Sequence, residues 1–173
     1  KETDSFAYAK ILQKALEGRN YDLLLTGKQA QDTDAGLTAP MLAEFIGLPQ
    51  VTNIIRFSDV SDGRITLHRM GDHGTEVVEM NLPGVVTVND SLNEPRLASM
   101  RGIMMAKKKP LEEVDLDGIG VSAEMRGAPA SMTEVLQYEK PDSRKEGKIF
   151  EGEEVDTVKQ AMELLVSEAK FLA

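Results

Sequence analysis

The chain has 173 residues, of which 41% are hydrophobic, so it is long enough for one folded domain and an appendage. Its formal net charge of −9 argues against general nucleic-acid binding, and no apolar run reaches the about 18 residues that a membrane span needs. The chain has no cysteine, which excludes disulfides and thiolate metal sites, and His68 and His73 alone do not make a metal site.

The first predicted element is a helix over residues 1–18, with Asp4 or Ser5 placed to cap it and Gly18 to end it. The apolar run from Tyr21 to Thr26 then predicts a buried parallel strand.

A polar loop from Gly27 to Pro40 follows this strand, and the spacing of apolar residues after it predicts a helix that Gly47 ends. Thr38 is placed to cap this helix, with Pro40 in its first turn. In an open α/β sheet, ligands bind in the crevice at the carboxyl ends of the strands, where such a loop lies.

Free N–H groups of residues 35–38, together with the positive end of the helix dipole, would suit a phosphate. Gly36 would let the backbone approach a ligand closely. An ordinary strand–loop–helix turn is the alternative, because the loop matches neither of the common glycine-rich phosphate motifs.

Asp32 and Asp34 in this loop have the spacing of a metal-binding or acid–base pair, but the sequence offers no third ligand. Short polar side chains in a loop usually bond their own backbone, which is the favoured interpretation. Nothing resembles a Ser/His/Asp or Cys/His arrangement, so any chemistry belongs to a bound cofactor.

The sequence pattern predicts strands in the middle of the chain. Val51–Phe57 is rich in β-branched residues, and residues 64–69 and 75–80 alternate as an antiparallel hairpin turning at residues 71–74. Gly84–Val88 predicts another core strand.

A helix is predicted from Pro95 to Lys109, with Asn93 as its cap. It places methionines beside three consecutive lysines. The pattern alone favours core packing of the methionines and a solvated lysine face. The alternative is a partner-docking surface, for which the flexible and polarizable methionine side chain is well suited.

An acidic run over residues 112–117 predicts a solvated loop, Val135–Tyr138 predicts one more strand, and residues 141–147 predict a linker. A last helix follows Glu153, either packed on the domain or forming an arm around another subunit. Its predicted apolar stripe contains Val155, Val158, Met162, Leu165, Ala169 and Leu172.

Three stretches resemble the beta subunit of electron-transfer flavoprotein. They are L-x-G-K-Q-A-x-D-x-D at residues 25–34, L-N-E-P-R at 92–96 continuing to I-M-M-A-K-K-K at 103–109, and P-D-S-R at 141–144 with Gly147. Members of that family carry a longer amino-terminal part with the first strands and part of the nucleotide site. The resemblance therefore implies that this chain lacks that part.

The fold implied is α/β, a doubly wound, mainly parallel sheet like that of adenine-nucleotide alpha-hydrolases, with an antiparallel hairpin insertion and a C-terminal helical arm. Residues 1–146 would form the nucleotide-binding domain. Residues 147–173 would form the arm, packing on the partner subunit.

The resemblance implies an electron-transfer protein and not an enzyme. The beta subunit would pair with an alpha subunit, share its FAD and bind a structural AMP. The pair would carry electrons from acyl-CoA or related dehydrogenases to a membrane quinone reductase, as in fatty acid beta-oxidation. Its compartment would be the bacterial cytoplasm or the mitochondrial matrix.

The resemblance also implies two sites. AMP, or FAD, would bind at Gly27, Lys28, Gln29, Ala30, Gln31, Asp32, Thr33, Asp34, Ala35, Gly36, Leu37 and Thr38. Dehydrogenases would dock at Arg96, Leu97, Ala98, Ser99, Met100, Arg101, Gly102, Ile103, Met104 and Met105. The apolar anchor of this docking segment falls on Met100, where relatives usually have leucine.

Two alternatives remain open. In an electron-bifurcating member of the family the beta subunit holds a second FAD instead of AMP; Pro40 and the G-L-P-Q run at residues 47–50 favour it. The loop lacks the D-G-D-T run expected there, whereas Thr38 and the A-K-K-K run at residues 106–109 favour AMP. A stand-alone nucleotide-binding stress-type module, or an ATP-cleaving enzyme, is a different class.

Overall fold

The computed structural model describes residues 3–143 and 147–168. The chain divides into two compact units between Leu136 and Gln137. None of the described helices is both long enough and apolar enough to cross a membrane.

The first unit is built on a five-stranded sheet in the order β1-β5-β2-β3-β4. The strands are β1 Leu23–Gly27, β2 Gln50–Ser61, β3 Arg64–Gly71, β4 Gly74–Asn81 and β5 Gly84–Val88. Strand β5 pairs in parallel with both β1 and β2, whereas β2 with β3 and β3 with β4 pair antiparallel. The fold is therefore α/β with a mixed sheet, in which the predicted β3–β4 hairpin is confirmed.

The antiparallel part is larger than the predicted hairpin. Strand β2 does not end at Phe57 but continues to Ser61 and turns back into β3 through Asp62 and Gly63. These two residues have φ of 50° and 72°, which an Asp-Gly hairpin turn accommodates well. Three consecutive strands thus form a meander.

The prediction that the first strand is buried is wrong. Strand β1 lies at the edge of the described sheet and pairs only with β5. Consequently Leu25 is 61% exposed, although Leu24 packs towards the helices and Leu23 packs on the opposite face.

One helix covers one face of the parallel strands, and a second helix packs on the first. Helix α2, Thr38–Ile46, packs Ala39 and Ala43 against Val85 of β5. Helix α1, Ser5–Leu16, lies against α2, with the rings of Phe6 and Phe45 edge-to-face at 5.3 Å. The small alanine side chains let α2 approach the sheet closely, which fixes where its amino end lies.

The other face of the sheet carries the main apolar core. Its buried residues come from β2, β3, β4 and β5: Val51, Ile54, Ile65, Leu67, Met80 and Val86. Because Val85 and Val86 point to opposite faces, the central strand joins the two cores.

Asp4 caps α1, which was one of the two predicted alternatives, and the helix begins at the next residue, Ser5. One carboxylate oxygen accepts from the Ala7 amide at 2.9 Å, and the other accepts from the Met132 amide at 2.7 Å and the Thr133 amide at 3.0 Å. Burial raises the pKa of Asp4, but its hydrogen bonds lower that pKa by more, so the net pKa lies below the ordinary value. Asp4 therefore ties a distant segment to the start of α1.

The helix predicted to start at Pro95 begins later. A short 3-10 turn, Asp90–Leu92, is followed by irregular residues up to the start of helix α3, Met100–Ala106. The predicted Asn93 cap is wrong, because the Ser99 hydroxyl accepts from the Gly102 amide at 3.1 Å and caps the helix there. The helix begins where a hydroxyl first satisfies one of its open amides.

The strand predicted at Val135–Tyr138 is absent from the described residues; these residues are irregular, and Leu136 and Tyr138 are exposed. A strand needs a pairing partner, and no described strand pairs with this run. The last helix is present as α4, Glu154–Ser167. Arg144, Ala169 and Leu172 lie outside the described residues.

Candidate functional site

The loop from Gly27 to Thr38 leaves the carboxyl end of β1 and leads directly into α2. The Lys28 amide donates to the Val88 carbonyl at 3.1 Å, and the Asp34 amide donates to the Ala30 carbonyl at 2.9 Å. The Gln29 side-chain amide also donates to the Asp34 carboxylate. The carboxylate of Asp34 therefore binds a neighbouring side chain, where the sequence favoured a bond to its own backbone.

The end of this loop presents open backbone donors, as predicted. Within the described residues, the amides of residues 35–38 donate to no protein acceptor. Gly36 has φ of 62° and Leu37 is right-handed helical, an alternation that turns successive N–H groups towards one side. The nine-residue α2 begins here, and the positive end of its dipole together with open amides is an arrangement that suits an anion.

The predicted capping role of Thr38 is wrong. Leu37 occupies the cap position, has no side-chain oxygen, and makes no capping hydrogen bond, while Thr38 is already the first helical residue. Within the described part of the chain, the Thr38 hydroxyl has no hydrogen-bond partner. The first turn thus keeps both its amides and a hydroxyl free for a ligand.

The loop carries one lysine and two aspartates. Lys28 is exposed and forms no ion pair with any described residue, so its ammonium group can reach an anionic ligand. No group of histidines, aspartates and glutamates among the described residues can hold a metal ion. Asp32 and Asp34 therefore do not form a metal site with residues the structure describes.

A polar network that joins β2 to β3 and to the end of β5 was missed from the sequence. Asn53, with φ of 61°, donates its backbone amide to the Thr87 hydroxyl at 2.8 Å and its side-chain amide to the Met70 carbonyl at 2.7 Å. Asn89 in turn donates to the Asn53 side-chain oxygen at 2.7 Å. An asparagine within a β-branched run was the available signal, since asparagine tolerates the left-handed conformation that a bulge requires.

Helix α3 exposes its apolar side chains. None of its residues is buried, and Met100 is 76% exposed. The same holds for Leu97 just before the helix and for Ile103, Met104 and Met105 within it. The core-packing interpretation, which the sequence pattern favoured, is therefore wrong for the described structure.

We call Leu97, Met100, Ile103, Met104 and Met105 the α3 surface. The other residues predicted for docking, Arg96, Ala98, Arg101 and Gly102, are exposed in the same segment, and Ser99 is its cap. Lys107, Lys108 and Lys109 follow and are exposed as well. A cluster of exposed apolar side chains beside positive charge is typical of an interaction surface.

The two predicted sites both begin at the carboxyl ends of the parallel strands. Gly27, the last residue of β1, is in parallel register with Val88, the last residue of β5. The phosphate-type loop follows Gly27 along the chain, and the segment leading to α3 follows Val88. The carboxyl edge of the parallel strands is thus where both features begin, as the crevice rule for α/β sheets predicts.

Comparison with known proteins gives consistent matches. The electron transfer flavoprotein domain family matches residues 1–118. The chain is 33% identical over 171 residues to electron transfer flavoprotein subunit beta of Bacillus subtilis, covering 99% of this chain and 65% of the relative. It is 36% identical over 159 residues to the subunit beta of Syntrophomonas wolfei, covering 91% of this chain and 59% of the relative.

A third relative, the probable electron transfer flavoprotein subunit beta of Saccharomyces cerevisiae, is 41% identical over 113 residues. That match covers 65% of this chain and 43% of the yeast protein. The chain therefore spans less than two thirds of the length of each of these curated relatives.

Proposed function

Because the chain belongs to the electron transfer flavoprotein domain family, we propose that it serves in the beta subunit of a heterodimeric electron-transfer flavoprotein. The observation that carries the proposal is a loop with open amides and an unburied, methionine-rich helix, both following strands that end at one sheet edge. One feature suits a nucleotide and the other suits a protein partner.

In this proposal the protein is an electron carrier and not an enzyme, and it pairs with an alpha subunit that holds most of a shared FAD. The flavin supplies the redox chemistry when bound. The residues of this chain bind a nucleotide, maintain the folded structure and present a docking surface. The parallel half of the sheet then belongs to a doubly wound arrangement of the adenine-nucleotide alpha-hydrolase type.

The nucleotide proposed for the Gly27–Thr38 loop is AMP. Its phosphate would accept from the open amides of residues 35–38 and from the Thr38 hydroxyl, with Lys28 adding a positive charge. Gly36, at φ of 62°, keeps a side chain away from the approach of the ligand. A second FAD at this loop is the competing occupant.

The α3 surface is proposed to dock acyl-CoA or related dehydrogenases, with Met100 as the central anchor. A protruding apolar side chain next to a polar rim is the usual anatomy of a binding anchor. Electrons would then pass to a membrane quinone reductase, as in fatty acid beta-oxidation. The proposed compartment is the bacterial cytoplasm or the mitochondrial matrix.

The second unit is proposed to contain the arm, with residues 147–173 packing on the alpha subunit. Helix α4 exposes Val155, Val158 and Val166, which gives it an apolar face for that contact.

The experiment that tests the proposal is a nucleotide inventory of the intact heterodimer. The beta subunit is co-purified with its alpha subunit, denatured, and the released nucleotides are separated by chromatography. AMP and FAD in equal amounts are expected. Two FAD and no AMP per dimer would instead identify a bifurcating form, and purification of a colourless single chain would contradict the proposed subunit role.

A further inference from the structure

Methionine carries all of the side-chain sulfur of this protein, because the chain has 9 methionines and no cysteine. Thioethers are oxidised to sulfoxides by peroxides, and the change turns a flexible apolar group into a polar one. The location of the exposed thioethers therefore decides where a peroxide acts on this protein.

The exposed thioethers are concentrated on α3. Within its seven residues, Met100 is 76%, Met104 63% and Met105 51% exposed. By contrast, Met80 in the sheet core is 5% exposed. Other exposed methionines, such as Met132 at 73%, stand singly in the sequence.

We propose that Met100, Met104 and Met105 form a peroxide-sensitive site whose oxidation weakens docking at the α3 surface; the second half rests on the proposed function. In the reaction, the thioether sulfur attacks one oxygen of hydrogen peroxide and the O–O bond breaks. A sulfur–oxygen bond forms, the other oxygen leaves as water, and the sulfur loses the two electrons that the peroxide gains. Thiol-dependent methionine sulfoxide reductases reverse the change.

The consequence follows from what docking demands of these side chains. An anchor such as Met100 must leave water and enter an apolar environment in the partner. A sulfoxide oxygen is a strong acceptor, and burying it without a donor is unfavourable. Since Met100 and Met104 are four residues apart on a helix, their side chains share one face, so oxidation of either alters the same surface.

The first measurement maps the sulfoxides. The intact heterodimer is exposed to hydrogen peroxide, and the oxidised fraction at each methionine is followed by peptide mass spectrometry. Met100 and Met104 are expected to oxidise at least about tenfold faster than Met80, in line with the exposed fractions of 76%, 63% and 5%. Equal rates at Met80 and at the α3 methionines would overturn the proposed site.

The second measurement tests the effect on docking with matched variants. Electron transfer from an acyl-CoA dehydrogenase at limiting flavoprotein should fall about tenfold or more after peroxide treatment of the wild type. The triple variant Met100→Leu, Met104→Leu, Met105→Leu keeps apolar bulk but cannot form a sulfoxide, so its rate should be unchanged by peroxide. Met132→Leu, which removes an equally exposed thioether elsewhere, should lose its rate as the wild type does.

Recovery of the wild-type rate after treatment with the two epimer-specific sulfoxide reductases is also expected. An equal peroxide-induced loss in the triple leucine variant would overturn the proposal. If the untreated wild type takes no electrons from the dehydrogenase, the proposed docking function is wrong, and so is the proposed effect of oxidation on it. The sulfoxide map then still decides, by itself, whether α3 is the reactive site.

Discussion

Gly36 is the residue at which backbone conformation bears most directly on the proposed nucleotide binding. Its φ of 62° is costly for residues with a β-branched side chain. A Cβ here would meet the Lys28 carbonyl oxygen at 3.6 Å, an ordinary contact, so strain comes from the dihedral and not from crowding. We expect Gly36→Val to lower the AMP content of the purified heterodimer several-fold, by disturbing the open amides.

Gly47 provides the matched control for that variant. It has φ of 69° at the carboxyl end of the same helix, and a Cβ added there would meet no other atom within 4 Å. Gly47→Val should therefore lower the free energy of unfolding by ~1–2 kcal/mol, as Gly36→Val should, but without changing AMP content. Equal AMP content in both variants, measured by chromatography of the released nucleotide, would contradict the phosphate role of the loop.

Asp4 shows how one carboxylate can link two distant segments and make their contact depend on pH. Because its folded pKa lies below the unfolded value of 3.8, its contribution is complete above that value. The contribution is lost as pH falls through the folded pKa. Asp4→Ala should lower the free energy of unfolding by ~1–2 kcal/mol at pH 7, since a cap is lost, and by less at pH 2.

Urea unfolding at the two pH values measures this difference. Glu113→Ala serves as the control, since Glu113 is exposed and makes no hydrogen bond or ion pair with a described residue. Its change should stay within ~0.5 kcal/mol at both pH values, as is usual for surface positions. A loss for Asp4→Ala that is equally large at pH 2 would show that the charge of the carboxylate is not involved.

Among the elements, helix α3 allows its contribution to stability to be measured apart from its proposed docking role. Met100 is 76% exposed, so Met100→Ala should change the free energy of unfolding by no more than ~0.5 kcal/mol. If Met100 anchors the dehydrogenase, the same change should weaken docking by ~2 kcal/mol, or about thirtyfold. A melting curve and a coupling assay on the same preparation test both expectations.

Met132→Ala is the control for that experiment, because Met132 is exposed to a similar extent but lies outside the α3 surface. It should leave both the melting temperature and electron transfer near wild type. Normal coupling of Met100→Ala would refute the docking role. A large fall in its melting temperature would show instead that the side chain is packed.

The elements that could be predicted from the sequence are those governed by local rules. Gly84–Val88 was predicted with its observed bounds because a short apolar run between turn residues has few other solutions. Gly47 ends α2 in the left-handed conformation that its missing side chain permits. The open amides after Asp34 follow from the same local logic of helix starts.

The errors arose where long-range packing decides. Pairing of Val135–Tyr138 as a strand, and burial of the α3 methionines, both depend on which distant residues face them. The spacing of apolar residues along the sequence does not carry that information. The Asn53–Thr87–Asn89 network joins residues more than thirty positions apart, so no local pattern indicated it. The start of α3 was misplaced because Pro95 and Ser99 both suit a helix start, and only the structure shows that Ser99 is used.

At the scale of the whole molecule, the two predicted sites and helix α4 belong to different compact units. The first unit contains the sheet, the Gly27–Thr38 loop and α3, whereas α4 belongs to the second unit. Val155, Val158 and Val166 of α4 are all exposed. An apolar face of this kind in a net acidic chain favours burial against another protein surface.

Under the proposed subunit role, we expect the exposed apolar face of α4 to contribute to the heterodimer. Val158→Asp places a charge on the exposed apolar face of α4, where desolvating it against the alpha subunit would be unfavourable. We expect the variant to weaken association with the alpha subunit at least about tenfold, as for loss of a buried interface contact. Sedimentation of the co-expressed subunits over a concentration series measures this.

Gln160→Asp is the matched control, because it adds the same charge to an exposed position about 200° further round the same helix. Its effect on association should be small, since that face would remain in water. AMP content per assembled dimer should be unchanged in both variants, because the proposed phosphate contacts come from residues 28–38. Equal weakening by the two substitutions would mean that added charge alone, and not the apolar face of α4, controls assembly.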